Sequence, residues 1–254
     1  MRTSYQAQND YYNATSLMDI CIGNTNASQN SQKRDSHRVF HRRDSLFSVG
    51  DHFEGIYVLR SGSAKSFITS RKGEEHITKF YYPGDILGVD GFDGHKHSQT
   101  VCFLETSSVC LIKESQINNL INISTVFRDG LLQSMSHTLA CGSAMMMCLS
   151  TCSSEQKVTR FLLDLSIGFS ERGLSGSEFM LSMTRTDIAN YLGMAIETVS
   201  RIFASLQQRN IITVHIRYLC ILDFEELNRS VAIDICSQTI SSRSHPKKVK
   251  QAMN

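Results

Sequence analysis

The 254-residue sequence lacks any large excess of charge, with 26 Lys and Arg against 24 Asp and Glu. Divided after Ser154, it carries 14 cations against 14 anions in the first part and 12 against 10 in the second. A histone-like tail or a polyanion sponge is thereby excluded, and any nucleic-acid binding must come from a locally shaped surface. Its eight cysteines, at 21, 102, 110, 141, 148, 152, 220 and 236, form no CxxC, which excludes a zinc ribbon or a thioredoxin-type motif. Met1 to Ile20 has no apolar stretch of the kind a secretory signal needs, so a reducing, cytoplasmic setting is expected. What is there is globular: 41% hydrophobic and 20% charged residues, at a length that suggests two domains.

Residues 1–36 are rich in Asn, Ser, Gln and Tyr and poor in aliphatics. Such a segment buries too little apolar surface to offset its ordering entropy, and is expected to be a mobile arm. From Val39 to Ile112 the texture changes to short strand-like runs broken by Gly50, Gly62, Gly73 and Gly84. Glycine there supplies the positive φ of tight turns, and the near-regular spacing points to an antiparallel β-roll or jelly roll over 37–114. Ile56 with Val58, Ala64 with Phe67, and Ile77 with Phe80 fit strands with one buried face.

Gly130 to Ser154 contains no Asp, Glu, Lys or Arg. Leu132, Met135, Leu139, Gly142, Met146 and Leu149 step alternately by three and four, the a/d seam of nearly three heptads. Gln133, His137 and many serines argue against a membrane span. A helix buried inside one domain is an alternative. A long helix over 115–154 pairing with a second copy fits best, because a seam with an uncharged flank needs cover on more than one side. Cys141, Cys148 and Cys152 share roughly one face of this helix, suited to polarizable packing or to thiol chemistry.

Thr184 with Asp187 resembles a capping box, so a helix should start there. Ile188, Ala189 and Leu192 form its apolar face, and Gly193 breaks it. A second helix starts near Ala195 or Ile196, with Val199, Ile202, Phe203 and Leu206 as a buried stripe and Glu197, Ser200 and Arg201 opposite. Two apolar runs, Ile211–Val214 and Tyr218–Leu222, then suggest the wing of a winged helix-turn-helix over 155–227. An ordinary helical hairpin would explain the polar face but not the whole skeleton. Arg201 suits guanine as a bidentate donor, Glu197 suits cytosine N4, and Ser200 suits either base. Glu197, one turn before Arg201, is expected to hold its guanidinium. Thr184, Arg185, Thr198 and Arg217 suit phosphates, which position a protein on double-stranded DNA without carrying sequence information. From 228 to 254 a tail follows, with four cations between Arg243 and Lys250.

The order of glycine-turned roll, uncharged helix and winged helix resembles the Crp–Fnr superfamily of transcription regulators. Three stretches carry the resemblance: Leu104-Glu-Thr-Ser-Ser-Val-Cys110, Met183 to Gly193, and Glu197-Thr-Val-Ser-Arg201, which is the Glu-x-x-Ser-Arg signature of the Fnr branch. The resemblance implies an α+β protein that binds an inverted repeat with TTGAT-like half-sites as a homodimer and contacts RNA polymerase. It also implies base reading by Glu197, Ser200 and Arg201.

The sequence departs from the family at the sensor. Fnr proteins hold a [4Fe–4S] cluster with three closely spaced N-terminal cysteines and a fourth in the roll; Cys110 matches the fourth, but only Cys21 precedes the roll. No cofactor is expected, and Cys110 is expected to be a small buried hydrophobe. Relatives that bind cyclic AMP carry Gly-Glu and then Arg-Ser or Arg-Thr, whereas Gly84 to Thr100 contains neither Arg nor Glu. His95-Lys-His97 begins a cupin metal motif, but Val101 and Cys102 occupy the span where its Glu should stand, so no enzyme is expected. The expected protein is a DNA-binding regulator, competent without cluster or nucleotide and not associated with membranes. The alternative is a roll or thiol sensor that gates DNA binding.

Overall fold

The computed structural model describes residues 37–229. The arm over 1–36 and the tail beyond Arg229, with Cys21, Cys236 and the Arg243–Lys250 cations, lie outside the described residues.

The first part is an antiparallel roll of β1 (His37–Phe40), β2 (Ser45–Phe47), β3 (Gly55–Ser61), β4 (Ala64–Thr69), β5 (Glu75–Tyr81), β6 (Ile86–Leu87), β7 (Thr100–Phe103) and β8 (Ser107–Lys113). One four-stranded sheet has the order β1-β8-β3-β6 and the other β2-β7-β4-β5. Tyr57, Leu59, Phe103, Val109 and Leu111 fill the space between them. The turn glycines 50, 62, 73 and 84 all take positive φ. At Gly62 the requirement is also steric, since a Cβ would lie 2.1 Å from Ser107 Oγ and 2.8 Å from Ser107 Cα.

One expectation is corrected here. β3 is buried on both faces. Tyr57 and Leu59 point into the roll, whereas Ile56 and Val58 join Phe53, Ile112, Ile117, Phe127 and Leu131 beneath two helices. A strand covered by a sheet on one side and helices on the other has no polar face, so its sequence cannot alternate. Each such fully buried aliphatic contributes about 1.5–3 kcal/mol.

The helices are α1 (Glu114–Ile123), α2 (Thr125–Thr151) and α3 (Ser154–Glu171). The single helix expected over 115–154 is therefore divided. Ser124 takes an extended conformation and its Oγ accepts from Phe127 N at 3.2 Å, a cap that ends α1 and starts α2. A second break follows Thr151, where Ser153 and Gln156 form a reciprocal capping box for α3.

The last part contains β9 (Glu178–Met180), α4 (Arg185–Tyr191), α5 (Ile196–Gln208), β10 (Ile212–His215), β11 (Tyr218–Ile221) and α6 (Phe224–Arg229). Its sheet has the order β10-β11-β9. The core of this part does not stop at its own boundary: Ile77, Phe80 and Leu104 of the roll pack into the same cluster as Val158, Leu162, Ile188, Val199 and Leu206.

Candidate nucleic-acid interface

Helix α4 starts where the capping pattern predicts. Thr184 N donates to Asp187 Oδ2 at 2.9 Å and Asp187 N donates to Thr184 Oγ1 at 3.1 Å. Gly193, at φ +61°, turns the chain, and Met194 N reaches back to Ala189 O at 3.0 Å. Ala189 is buried under the crossing, as its small size requires. On α5, Val199, Phe203 and Leu206 are buried and Ile202 is half-buried, which leaves Glu197, Ser200 and Arg201 together on the exposed face. Ala195, at the head of α5, offers no side-chain cap. The leading N–H groups therefore add positive potential at that end.

The hold on Arg201 differs from the expectation. Its Nη2 donates to Thr198 Oγ1 at 3.2 Å, three residues earlier on the same face, and Glu197 is not the partner. A hydroxyl leaves the guanidinium charge uncompensated and its remaining N–H groups directed outward, which a carboxylate would not.

Thr198 and Arg217 are half-buried and Thr184 is held within its capping box. Arg185 is turned inward: its guanidinium carbon lies 3.2 Å from the centroid of the Phe203 ring. Burial lowers its pKa to about 10. Its buried Nη1 has no hydrogen-bond partner among the described residues. Arg185 thus braces the crossing of the two helices.

Sequence reasoning missed the start of α3. Ser153 and Ser154 face Thr198, Arg201 and Ser205 across a shallow open cleft beside the recognition face. Arg209, at the end of α5, fixes this arrangement by bonding Glu155 at 2.6 Å and Glu226 at 3.1 Å. The available signal was the Ser-x-x-Gln cap of Ser153 and Gln156.

The recognition unit is docked directly on the roll. Lys65 Nζ lies 2.7 Å from Asp187 Oδ1, with both side chains largely buried. Burial of Asp187 opposes its ionisation, but hydrogen bonds from Lys65 and Thr184 outweigh it and hold the carboxyl below its usual value. The Asn190 amide caps the β5 backbone twice, accepting from Ile77 N at 2.6 Å and donating to Glu75 O at 2.7 Å. Arg172 adds a second tie, to Asp85 at 2.7 Å and Pro83 O at 3.2 Å.

On α2, Leu132, Leu139 and Met146, spaced by seven, are 59%, 74% and 72% exposed. Met135 leans on the Phe127 and Leu131 cluster, and Leu149 is half-buried near Gly193. A Cβ at Gly142 would meet none of the described residues within 4 Å. The seam therefore presents an open apolar face at three of its positions, while the opposite flank packs on the chain's own roll through Thr138 and Lys79.

Two further sequence features fall inside the fold. His97 is buried, stacked on Phe47 at 3.5 Å between centroids, with Nδ1 3.3 Å from Asp90 Oδ1. His95 lies apart from it, exposed and 3.0 Å from Glu114. Cys110 is 2% exposed on β8. Burial raises the Cys141 thiol, and burial with a Cys152 hydrogen bond raises Cys148 to about 12, which keeps both protonated. Among the described residues no group of three or more His, Cys, Asp and Glu is placed to hold a metal ion. No helix among them is long and apolar enough to cross a membrane.

Residues 156–230 match the model of the Crp-like helix-turn-helix domain, and residues 37–124 that of the cyclic nucleotide-binding domain. The chain is 34% identical over 216 residues to the fumarate and nitrate reduction regulatory protein of Vibrio cholerae, an alignment covering 84% of this chain and 86% of that one. It is 38% identical over 186 residues to the transcriptional activator protein Anr of Pseudomonas protegens, covering 73% and 76%. Its fold is similar to that of FixK2 from Bradyrhizobium japonicum, with a TM-score of 0.72 at 22% identity, covering 79% of this chain and 98% of that structure.

Proposed function

Because this chain belongs to the Crp–Fnr family of DNA-binding transcription regulators, we propose that it reads an inverted repeat of TTGAT-like half-sites as a homodimer, without an iron–sulfur cluster or a cyclic nucleotide. The observation that carries this reading is the row of Glu197, Ser200 and Arg201 on the exposed face of α5, with the Arg201 guanidinium steadied by Thr198 and its other donors directed outward. A major-groove helix with these side chains has a bidentate donor for guanine and an acceptor for cytosine N4. Thr198 and Arg217 supply phosphate contacts, joined by Ser153 and Ser154 across the cleft, whereas the Thr184 hydroxyl is already engaged with Asp187. Arg185 serves through its position, keeping α4 and α5 in register. Pairing through Leu132, Leu139 and Met146 sets two recognition helices roughly 34 Å apart, one turn of duplex. The reading places the protein in the cytoplasm, in contact with RNA polymerase, and not as an enzyme.

The donor set speaks against a resident cluster. A [4Fe–4S] cluster takes four thiolates, and the 36 residues before the roll hold one cysteine. The nucleotide segment does not fit a cyclic phosphate either. It has no Arg, and His97 is already stacked on Phe47 and paired with Asp90.

The test is fluorescence anisotropy of a labelled TTGAT-N4-ATCAA duplex against a scrambled one, in air with chelator. Selective binding is the expected result; selectivity that appears only without oxygen would contradict cluster independence. In sedimentation, Leu139→Glu converts a dimer to a monomer, and a monomeric parent at micromolar concentration would count against pairing.

The second reading, in which the roll gates DNA binding, is favoured by the direct tie of Asn190 and Asp187 to β5 and β4. A rearrangement of those strands would move α4. Under that reading affinity for the duplex changes on adding cyclic AMP or a reductant.

A further inference from the structure

The wing carries a residue that neither the base-reading row nor the phosphate contacts explain. His215 and Tyr218 are paired across β10 and β11, so Ile216 and Arg217 form a two-residue hairpin turn. Ile216 stands at its first central position with φ +58°. That position favours glycine or asparagine, because a left-handed backbone crowds a side chain, and a β-branched one most of all. Ile216 is also 88% exposed, more than any other large hydrophobic side chain among the described residues. A single exposed apolar residue needs no explanation. One that is also strained, where glycine would fit without cost, points to a use for the side chain.

The surroundings indicate what it meets. The Arg217 carbonyl accepts from Leu181 N at 2.8 Å, which ties the tip to the strand leading into Thr184 and the start of α4. Behind the tip, Met180 and Tyr218 are directly paired across β9 and β11, 58% and 43% exposed. Tyr218 is oriented by donating its hydroxyl proton to Glu178. Apolar Ile216, Tyr218 and Met180 thus form a ridge flanked by His215 and Arg217. An apolar tip with the Arg217 cation beside it is complementary to a duplex groove, whose phosphates line the edges and whose deoxyribose faces line the walls.

We propose that Ile216 is an apolar DNA contact, inserted against the deoxyribose walls of the minor groove beside the half-site. The inference rests on the DNA-binding reading and adds to it a contact that does not depend on charge. Affinity contributed here is insensitive to salt, unlike that from Arg217.

Ile216→Gly and Ile216→Lys test it, each assayed for melting temperature and for affinity toward a duplex selected by the parent chain from a random-sequence pool. Removing the strain with glycine raises the melting temperature by roughly 2–4 °C. The same change weakens binding about tenfold and leaves the salt slope unaltered. Lysine also weakens binding at physiological salt. Glycine binding as tightly as the parent overturns the contact, and lysine tightening binding shows that the tip meets only phosphate. A glycine variant that melts lower as well as binding weakly makes Ile216 a structural residue and overturns the proposal. If the parent selects no duplex at all, the DNA reading itself fails, and this inference falls with it.

Discussion

Two regions of this molecule carry charged and polar side chains where the family places a ligand, and the fold treats them oppositely. In the roll, His97 and Asp90 are turned inward, bonded to each other and roofed by Phe47. On α5, Glu197, Ser200 and Arg201 stand exposed, and Arg201 is held by a neutral hydroxyl. Buried polar groups must find partners, because leaving one unsatisfied costs about 1–3 kcal/mol. Once partnered, such a group has little capacity left for a ligand. A group held in place with most of its donors unused keeps that capacity. The difference lies in where hydrogen-bonding capacity is directed, not in residue type.

The largest test of this contrast is Arg201→Ala. It is expected to lower affinity by about 1–3 kcal/mol per half-site and to relax preference at one base pair, read from anisotropy across single-base variants. Unchanged preference at every position would remove Arg201 from the reading row. Next comes His97→Ala, which should cost about 2–4 kcal/mol in denaturant melts, because it empties a stacked site and takes the partner from Asp90 Oδ1, leaving that carboxylate only its Ser98 bonds. Base preference should not move; a change in it would mean that the roll segment takes part in recognition.

Asp187→Asn is the third. It keeps an acceptor for Thr184 but loses the charge opposite Lys65, at an expected cost of about 1.5–3 kcal/mol. The Asp187 carboxyl is held below its ordinary value in the fold. The stability it contributes is therefore present above the unfolded value near pH 4 and is lost as pH falls through the lower folded one. In the parent this contribution should be constant from about pH 5 to 8, and the variant should melt with a weaker acid dependence. Smallest is Cys148→Ala, expected to shift stability by under about 1 kcal/mol. Affinity should be equal with and without dithiothreitol, since the raised thiol is a poor nucleophile. A reductant-dependent affinity that vanishes in this variant would favour thiol gating.

Features governed by near neighbours are legible in the sequence. The Thr184–Asp187 cap, the turn glycines and the Val199, Phe203 and Leu206 stripe all follow patterns a few residues long, so their spacing alone announces them. The wing is legible as two apolar runs, but its strained tip is not, because no spacing rule marks an isoleucine at positive φ. Arg185 resembles a phosphate contact by residue type; its direction is set by the aromatic ring of Phe203 on the next helix. Glu197 is the natural partner for Arg201 by charge, yet Thr198 lies nearer on the folded surface.

By itself the sequence determined the turns, the helix starts, the amphipathic stripes and the exposed placement of Glu197, Ser200 and Arg201, all local consequences of backbone geometry and hydrophobic period. Only the tertiary structure decided which polar groups are committed and which keep donors to spare. The Asn190 bridge to β5 spans 113 residues, and the Lys65–Asp187 pair spans 122. Contacts that distant leave no periodic trace, because each is set by how two surfaces far apart in the sequence meet.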